Sequence, residues 1–321
     1  MQANQNLKAI GIGVVASVFF CSTYVMNSFI SVGSGHWAWT VGLRTFLMLV
    51  ILLGILQYKN QLKPLLCILK EQPKVWVFWG SVWFGLVYVL LTAAASFGPG
   101  WLIAGVFQFT IVAGILLSPF LYKDKRAKIP VRALLLSVLI LIGIGLMQWS
   151  QRKGIYTDAQ LLSCIILVLL SAIIWPLASR KLLLFVEEQD YQLNAMQRVA
   201  GTAIGSMPVI FLLMVYGYSE SGIPGTSHIL SILVITISSG VIGTILFFKA
   251  MHLAQNDSGA LAAVEATQSV EILATVIGEV LLLGIAWPSA TGNIGMLLIT
   301  GGLILYSIPA KKKALRTAVK V

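Results

Sequence analysis

The chain has 321 residues, of which 58% are hydrophobic and 10% charged, with 22 Lys and Arg against 11 Asp and Glu and a formal net charge of +11. A soluble domain devotes about a quarter of its residues to charge, so this composition, with a mean hydropathy of +0.91, excludes a self-solvating globule and points to an integral membrane protein. The basic excess does not signal a nucleic-acid partner, because it is gathered in alternate loops and at the C-terminal end.

In chain order, apolar runs predict ten membrane-spanning helices near 9–30, 37–58, 75–95, 101–122, 130–150, 160–185, 193–218, 228–253, 258–285 and 290–309. Each has about 20 residues or more, enough to cross about 30 Å of hydrocarbon. Their apolar runs are uninterrupted, whereas barrel strands would alternate every second residue. The expected fold is therefore all-α and membrane-integral. The first span exceeds a secretory h-region and lacks a following A-x-A site, so it reads as a retained helix. Eighteen of the 22 basic residues fall on one side of this topology, and only Arg152 and Lys153 fall on the other. That asymmetry predicts a multi-pass protein of the cell (plasma or inner) membrane with both termini in the cytoplasm.

The two halves echo each other. Arg44 near the start of the second span matches Arg198 in the seventh, 154 residues on, and Gln108 in the fourth matches Gln268 in the ninth, 160 residues on. With five spans per half the second copy must run opposite to the first. The expected organisation is two inverted-topology repeats, residues 1–155 and 156–321, the second carrying a basic cytoplasmic tail. Inverted repeats are a construction of secondary transporters, whose sites lie at midplane between the copies.

The whole chain resembles the ten-helix branch of the drug/metabolite transporter superfamily, and within it the bacterial "putative multidrug resistance efflux transporter" group. The resemblance rests on "KAIGIGVVASVFFCSTYVMN" (8–27), the arginine-bearing second span, "AAASFGPGWLIAGVFQFTIVAGILLSPF" (93–120) and Glu279 in "GEVLLLG". It implies efflux. A second acid common after the fourth span in that superfamily has only Asp124, amid cations, in "LYKDKR" (121–126).

The ninth span holds Glu265, Glu271 and Glu279 and no basic residue. An acid at a helix centre costs roughly 2.5–3.5 kcal/mol on insertion. On a continuous helix Thr267, Glu271, Thr275 and Glu279 share one face, which should look into the bundle. Glu271, with Glu265, is the expected proton-coupling group: a carboxyl in such a place can exchange a proton for a cationic substrate. Arg44 with Glu279, and Arg198 with Glu265, lie at similar depths and are expected as structural or gating ion pairs. Tyr24, Asn27, Trp83, Gln108, Trp175, Gln268 and Thr275 outline a candidate substrate pocket, since aromatic faces attract cations. Trp37, Trp39, Trp76, Trp101, Trp149 and Trp287 read as interfacial belts.

"GIGVVA" (11–16) lacks a preceding strand, and no phosphate-binding loop, HExxH or GxSxG motif occurs. The three cysteines are scattered, which supports neither a disulfide nor a metal framework. The expectation is a non-enzymatic secondary transporter without cofactor or bound metal, partnered by small molecules, protons and membrane lipids. Ten helices can enclose a pathway as a monomer. The acids favour export of cationic or amphipathic drugs. Arg198, Lys249 and His252 keep neutral or zwitterionic metabolites such as amino acids open, and a membrane enzyme or accessory subunit for lipid-linked substrates is the remote alternative.

Overall fold

A computed structural model describes residues 2–33, 35–123, 127, 129, 131–150, 156–254, 263–264 and 267–307. Among them every regular element is helical. The helices are α1 (Gln2–Val32), α2 (Trp37–Tyr58), α3 (Leu62–Glu71), α4 (Pro73–Ala94), α5 (Gly100–Leu121), α6 (Val131–Ser150), α7 (Asp158–Glu188), α8 (Ala195–Ser221), α9 (Thr226–Ala254), α10 (Val270–Leu283) and α11 (Ala290–Ser307). Seven of them (α1, α2, α4, α5, α7, α8 and α9) are long and apolar enough to cross a membrane. Shorter apolar stretches occur in α6, α10 and α11. Helix α3 is amphipathic: Leu65 and Leu69 are buried while Lys63 and Lys70 are exposed.

The ninth expected span takes a different course. It is not an unbroken helix over 258–285: a 3-10 turn at Thr267–Ser269 precedes α10, so Glu271 sits in a first helical turn. Residues 255–262, 265 and 266, with the acid expected at Glu265, lie outside the described residues.

Local chemistry sets the helix ends. Thr157 and Asn194 each form a capping box with the residue three positions on, Gln160 and Gln197. Pro176 cannot donate to the carbonyl of Ala172, and Thr110 Oγ1 of α5 donates to it instead at 3.2 Å. Helices α4 and α9 each widen into a π segment, at Ser81–Val87 and Thr236–Gly243. Helix α5 is interrupted at Gln108.

Helix α1 packs on α9 and α10, while α7 packs on α4 and α5. Helix α2 lies against α8, α5 against α10, and α6 against α11. Glycines permit the tightest crossings. A Cβ at Gly205 in "GTAIG" would overlap the carbonyl of Trp76, and one at Gly80 would lie 2.7 Å from the amide of Ser206. Between α6 and α11, a Cβ at Gly143 would come within 2.8 Å of the Gly295 carbonyl. Two tryptophans expected in the interfacial belt belong to this packing instead: Trp76 and Trp101 are each 1% exposed. Trp149 and Trp287 are exposed as expected.

Backbone-to-backbone contact leaves no room for a side chain. Gly205→Val should therefore destabilise the protein by about 1–3 kcal/mol, read as a lower melting temperature in detergent. Gly54→Val, at a position with nothing within 4 Å, should leave the melting temperature unchanged.

Candidate functional site: a polar-aromatic cavity

A cavity of about 460 Å³ lies between α1, α2, α4, α5, α7, α8, α9 and the start of α10. One of its walls is aromatic and centred on Trp175. The indole meets Trp83 edge-on at 5.3 Å, Tyr88 at 6.1 Å and Phe107 at 6.0 Å. Polar residues also line it: Thr23 and Tyr24 of α1, Ser239 of the α9 π segment, and Gln268 and Glu271. Thr23 Oγ1 donates to Ser239 Oγ at 2.8 Å, and the neighbouring Ser22 and Ser238 hydroxyls also meet.

Among the described residues, three cations and one acid complete the lining. Arg44 is 6% exposed and lies over the Tyr88 ring, 4.1 Å from its centroid. Arg180 is fixed by its own hydrogen bonds, donating to the Gly114 carbonyl and, at 2.8 Å, to Ser118 Oγ. Arg198, in the first turns of α8, also borders an adjoining surface pocket with Glu187 and Asn194. Glu271 is buried, and its carboxyl has no hydrogen-bond or ion-pair partner among the described residues.

The structure thus gathers Tyr24, Trp83, Gln108, Trp175, Gln268, Glu271, Arg44 and Arg198 around one space. It leaves out two expected pocket residues. Thr275 is buried in α10, where its hydroxyl donates to the Glu271 carbonyl at 2.6 Å. Asn27 is buried but does not line the cavity.

The expected Arg44–Glu279 ion pair is also replaced. Glu279 accepts hydrogen bonds from the backbone amides of Gly100, at 2.7 Å, and Trp101, at 3.0 Å. Its carboxylate caps the N-terminus of α5, where amides without helical partners and the helix dipole favour an anion. The Arg198–Glu265 pairing falls outside the described residues.

Two lining residues were not singled out from the sequence. Tyr88 lies five positions after Trp83, a spacing that shares a face only where the helix widens to i→i+5. Arg180 entered only the count of basic residues on one side, though its place four residues after Pro176 on α7 was available as a signal.

The cavity has different ends. Towards the start of α8 its lining runs out through Leu183, Ala195 and Arg198. The other end is fastened. Besides the Glu279 clasp, Trp39 Nε1 donates to the Gly222 carbonyl at 2.9 Å, and Thr40 Oγ1 pairs with His228 Nε2 at 2.9 Å. Removing the clasp should loosen that end. Glu279→Ala should cost about 1–3 kcal/mol in thermal stability and raise hydrogen exchange at the amides of residues 100–103, with Glu279→Gln intermediate.

Comparison with known proteins agrees with this architecture. Residues 7–312 match the model of the "Putative multidrug resistance efflux transporter" family. The uncharacterized protein YjlA of Bacillus subtilis (strain 168) is 37% identical over 322 residues, covering 96% of this chain and 98% of its own. An uncharacterized 42.1 kDa protein from the intracellular alkaline protease 3' region of Shouchella clausii is 34% identical over 271 residues, covering 83% of this chain and 70% of its own. A crystal structure at 16% identity superposes with a TM-score of 0.62 over 93% of this chain and 96% of that one, a likeness of fold alone. The match along nearly the whole length, on a helical membrane fold with an internal cavity, places the chain in the multidrug resistance efflux transporter family, a family of membrane transporters and not of enzymes.

Proposed function

We propose that the protein is a proton-coupled exporter of amphipathic small molecules, built as ten spans in two inverted five-helix repeats (residues 1–155 and 156–321) and working by alternating access. The observation that carries this reading is the buried carboxyl of Glu271 in the cavity wall, which has no partner among the described residues. Cytoplasmic substrate displaces its proton. Protons from the far side then displace the substrate once the cavity turns outward.

The helix packing supports the repeat. Exchanging first-half helices for their second-half counterparts turns the α1–α9 and α1–α10 contacts into α7–α4 and α7–α5, and returns α2–α8, α5–α10 and α6–α11 to themselves. The π segments, at Ser81 and Thr236, start 155 residues apart, close to the 154 that separate Arg44 from Arg198. Gln108 and Gln268 both lie at helix breaks and both line the cavity. Interrupted helices at a repeat interface are where transporters hold substrate and coupling ion.

Charge supports the orientation. The end onto which the cavity runs out is the basic one, bearing Lys59, Lys63, Lys70 and Lys181, and so belongs in the cytoplasm. The end fastened by Glu279 then faces outward, and the structure is inward-facing.

Two measurements test this. In proteoliposomes, a panel of amphipathic amines and amino acids added on one side should include compounds that drive proton movement, and Glu271→Gln should cut that movement at least tenfold while leaving the protein folded; unchanged coupling would refute the role of Glu271. In cells expressing a variant without the native cysteines, an impermeant maleimide should label Ile223→Cys from outside but not Tyr191→Cys. The reverse pattern would overturn the topology.

A further inference from the structure

The least explained group in the cavity is Arg44. It is 94% buried, its Nη1 has no hydrogen-bond partner, and no acid pairs with it among the described residues. An unpaired buried charge is costly, so a structure that retains one leaves a counter-charge to be supplied. The other cavity arginines are differently placed. Arg180 is held by Gly114 and Ser118, and Arg198 borders the adjoining surface pocket with Glu187 at the end of α7.

Glu271 does not neutralise Arg44. Both act electrostatically on the phenol of Tyr24, which lies within range of each, yet the acid and the guanidinium form no salt bridge. The Arg44 guanidinium carbon lies 4.1 Å from the centroid of the Tyr88 ring, and its unpartnered Nη1 is a donor of the kind that pairs with a planar carboxylate. The same Tyr88 ring belongs to the aromatic wall around Trp175. One space therefore offers a fixed cation, a separate acid and an aromatic face.

We infer that the substrate carries a carboxylate that seats on Arg44, with an aromatic or apolar body against Trp175 and a positive group towards Glu271: a zwitterionic amphiphile rather than a simple lipophilic cation. This deepens the exporter reading and rests on it for the role of Glu271. The Arg44 half stands on binding alone. Among the described residues the lining holds three arginines against one acid, which also disfavours an occupant whose only charge is positive.

The test uses phenylalanine and 2-phenylethylamine, which share a ring and an ammonium group and differ by the carboxylate. Their affinities for the purified full chain are read from concentration-dependent shifts of the melting temperature in detergent, with no proton gradient. A charge-assisted bidentate contact predicts that phenylalanine binds about 10- to 100-fold more tightly. Arg44→Gln should bring that ratio to about one, and Arg44→Lys should retain part of it. A wild-type ratio of one or less, or no phenylalanine binding at its solubility limit, would overturn the inference whether or not the variants fold. So would a ratio unchanged in Arg44→Gln. Because binding is measured without a gradient, failure of the carboxylate site is distinguishable from failure of proton coupling at Glu271, which only the liposome assay reads.

Discussion

The arrangement depends on how one short helix treats two identical side chains. Glu271 and Glu279 lie two turns apart on α10, both buried, and water is scarce around each. Glu279 is satisfied by the free amides at the start of α5, a bond that uses the helix dipole and costs no counter-cation. Gly100 is suited to this place, because a Cβ there would come within 2.9 Å of the Glu279 carboxylate and of the Tyr24 carbonyl. With α10 pinned to α5 at one end, Glu271 is held in the wall of the cavity at the other.

Around that fixed point, five of the eight helices that border the cavity have locally irregular backbones or starts. Helices α4 and α9 contain π segments, α5 is broken at Gln108, α7 carries Pro176, and α10 follows a 3-10 turn. Each irregularity leaves the i→i−4 ladder locally incomplete and brings side-chain hydroxyls into use, as with Thr110 on the Ala172 carbonyl. By contrast α6 and α11, which do not border the cavity, pack glycine against glycine at Gly143 and Gly295. Close glycine crossings thus flank a centre whose regular backbone bonds are fewer.

Much of this was legible in the sequence. Hydropathy located the apolar helices, because a lipid-spanning run has no other solution for its backbone. An acid in such a run must face inward, which brought Glu271 to the cavity with Trp83, Trp175 and Gln268. What escaped has physical causes. Depth alone pointed Arg44 to Glu279, but a carboxylate can be satisfied by a helix terminus, and that partner is invisible in composition. Tyr88 was hidden because α-helical spacing rotates it off the face of Trp83, and only the π segment brings it back. Trp76 and Trp101 sit near helix starts like belt residues, yet glycines on α8 and the α5–α10 clasp draw them into the core. The face through Thr267, Glu271 and Thr275 assumed one continuous helix. The turn at Thr267–Ser269 breaks it, and Thr275 spends its hydroxyl on its own backbone.

The central claim is that Glu271 is an exchangeable carboxyl in contact with the cavity while Glu279 is a structural one. Infrared difference spectroscopy of the carboxyl stretch, with Glu271→Gln used to assign the band, tests it directly. A Glu271 band whose intensity changes with pH, and whose midpoint moves when a cavity ligand is added, is the predicted result. A band that stays constant across pH and ligand would contradict the account.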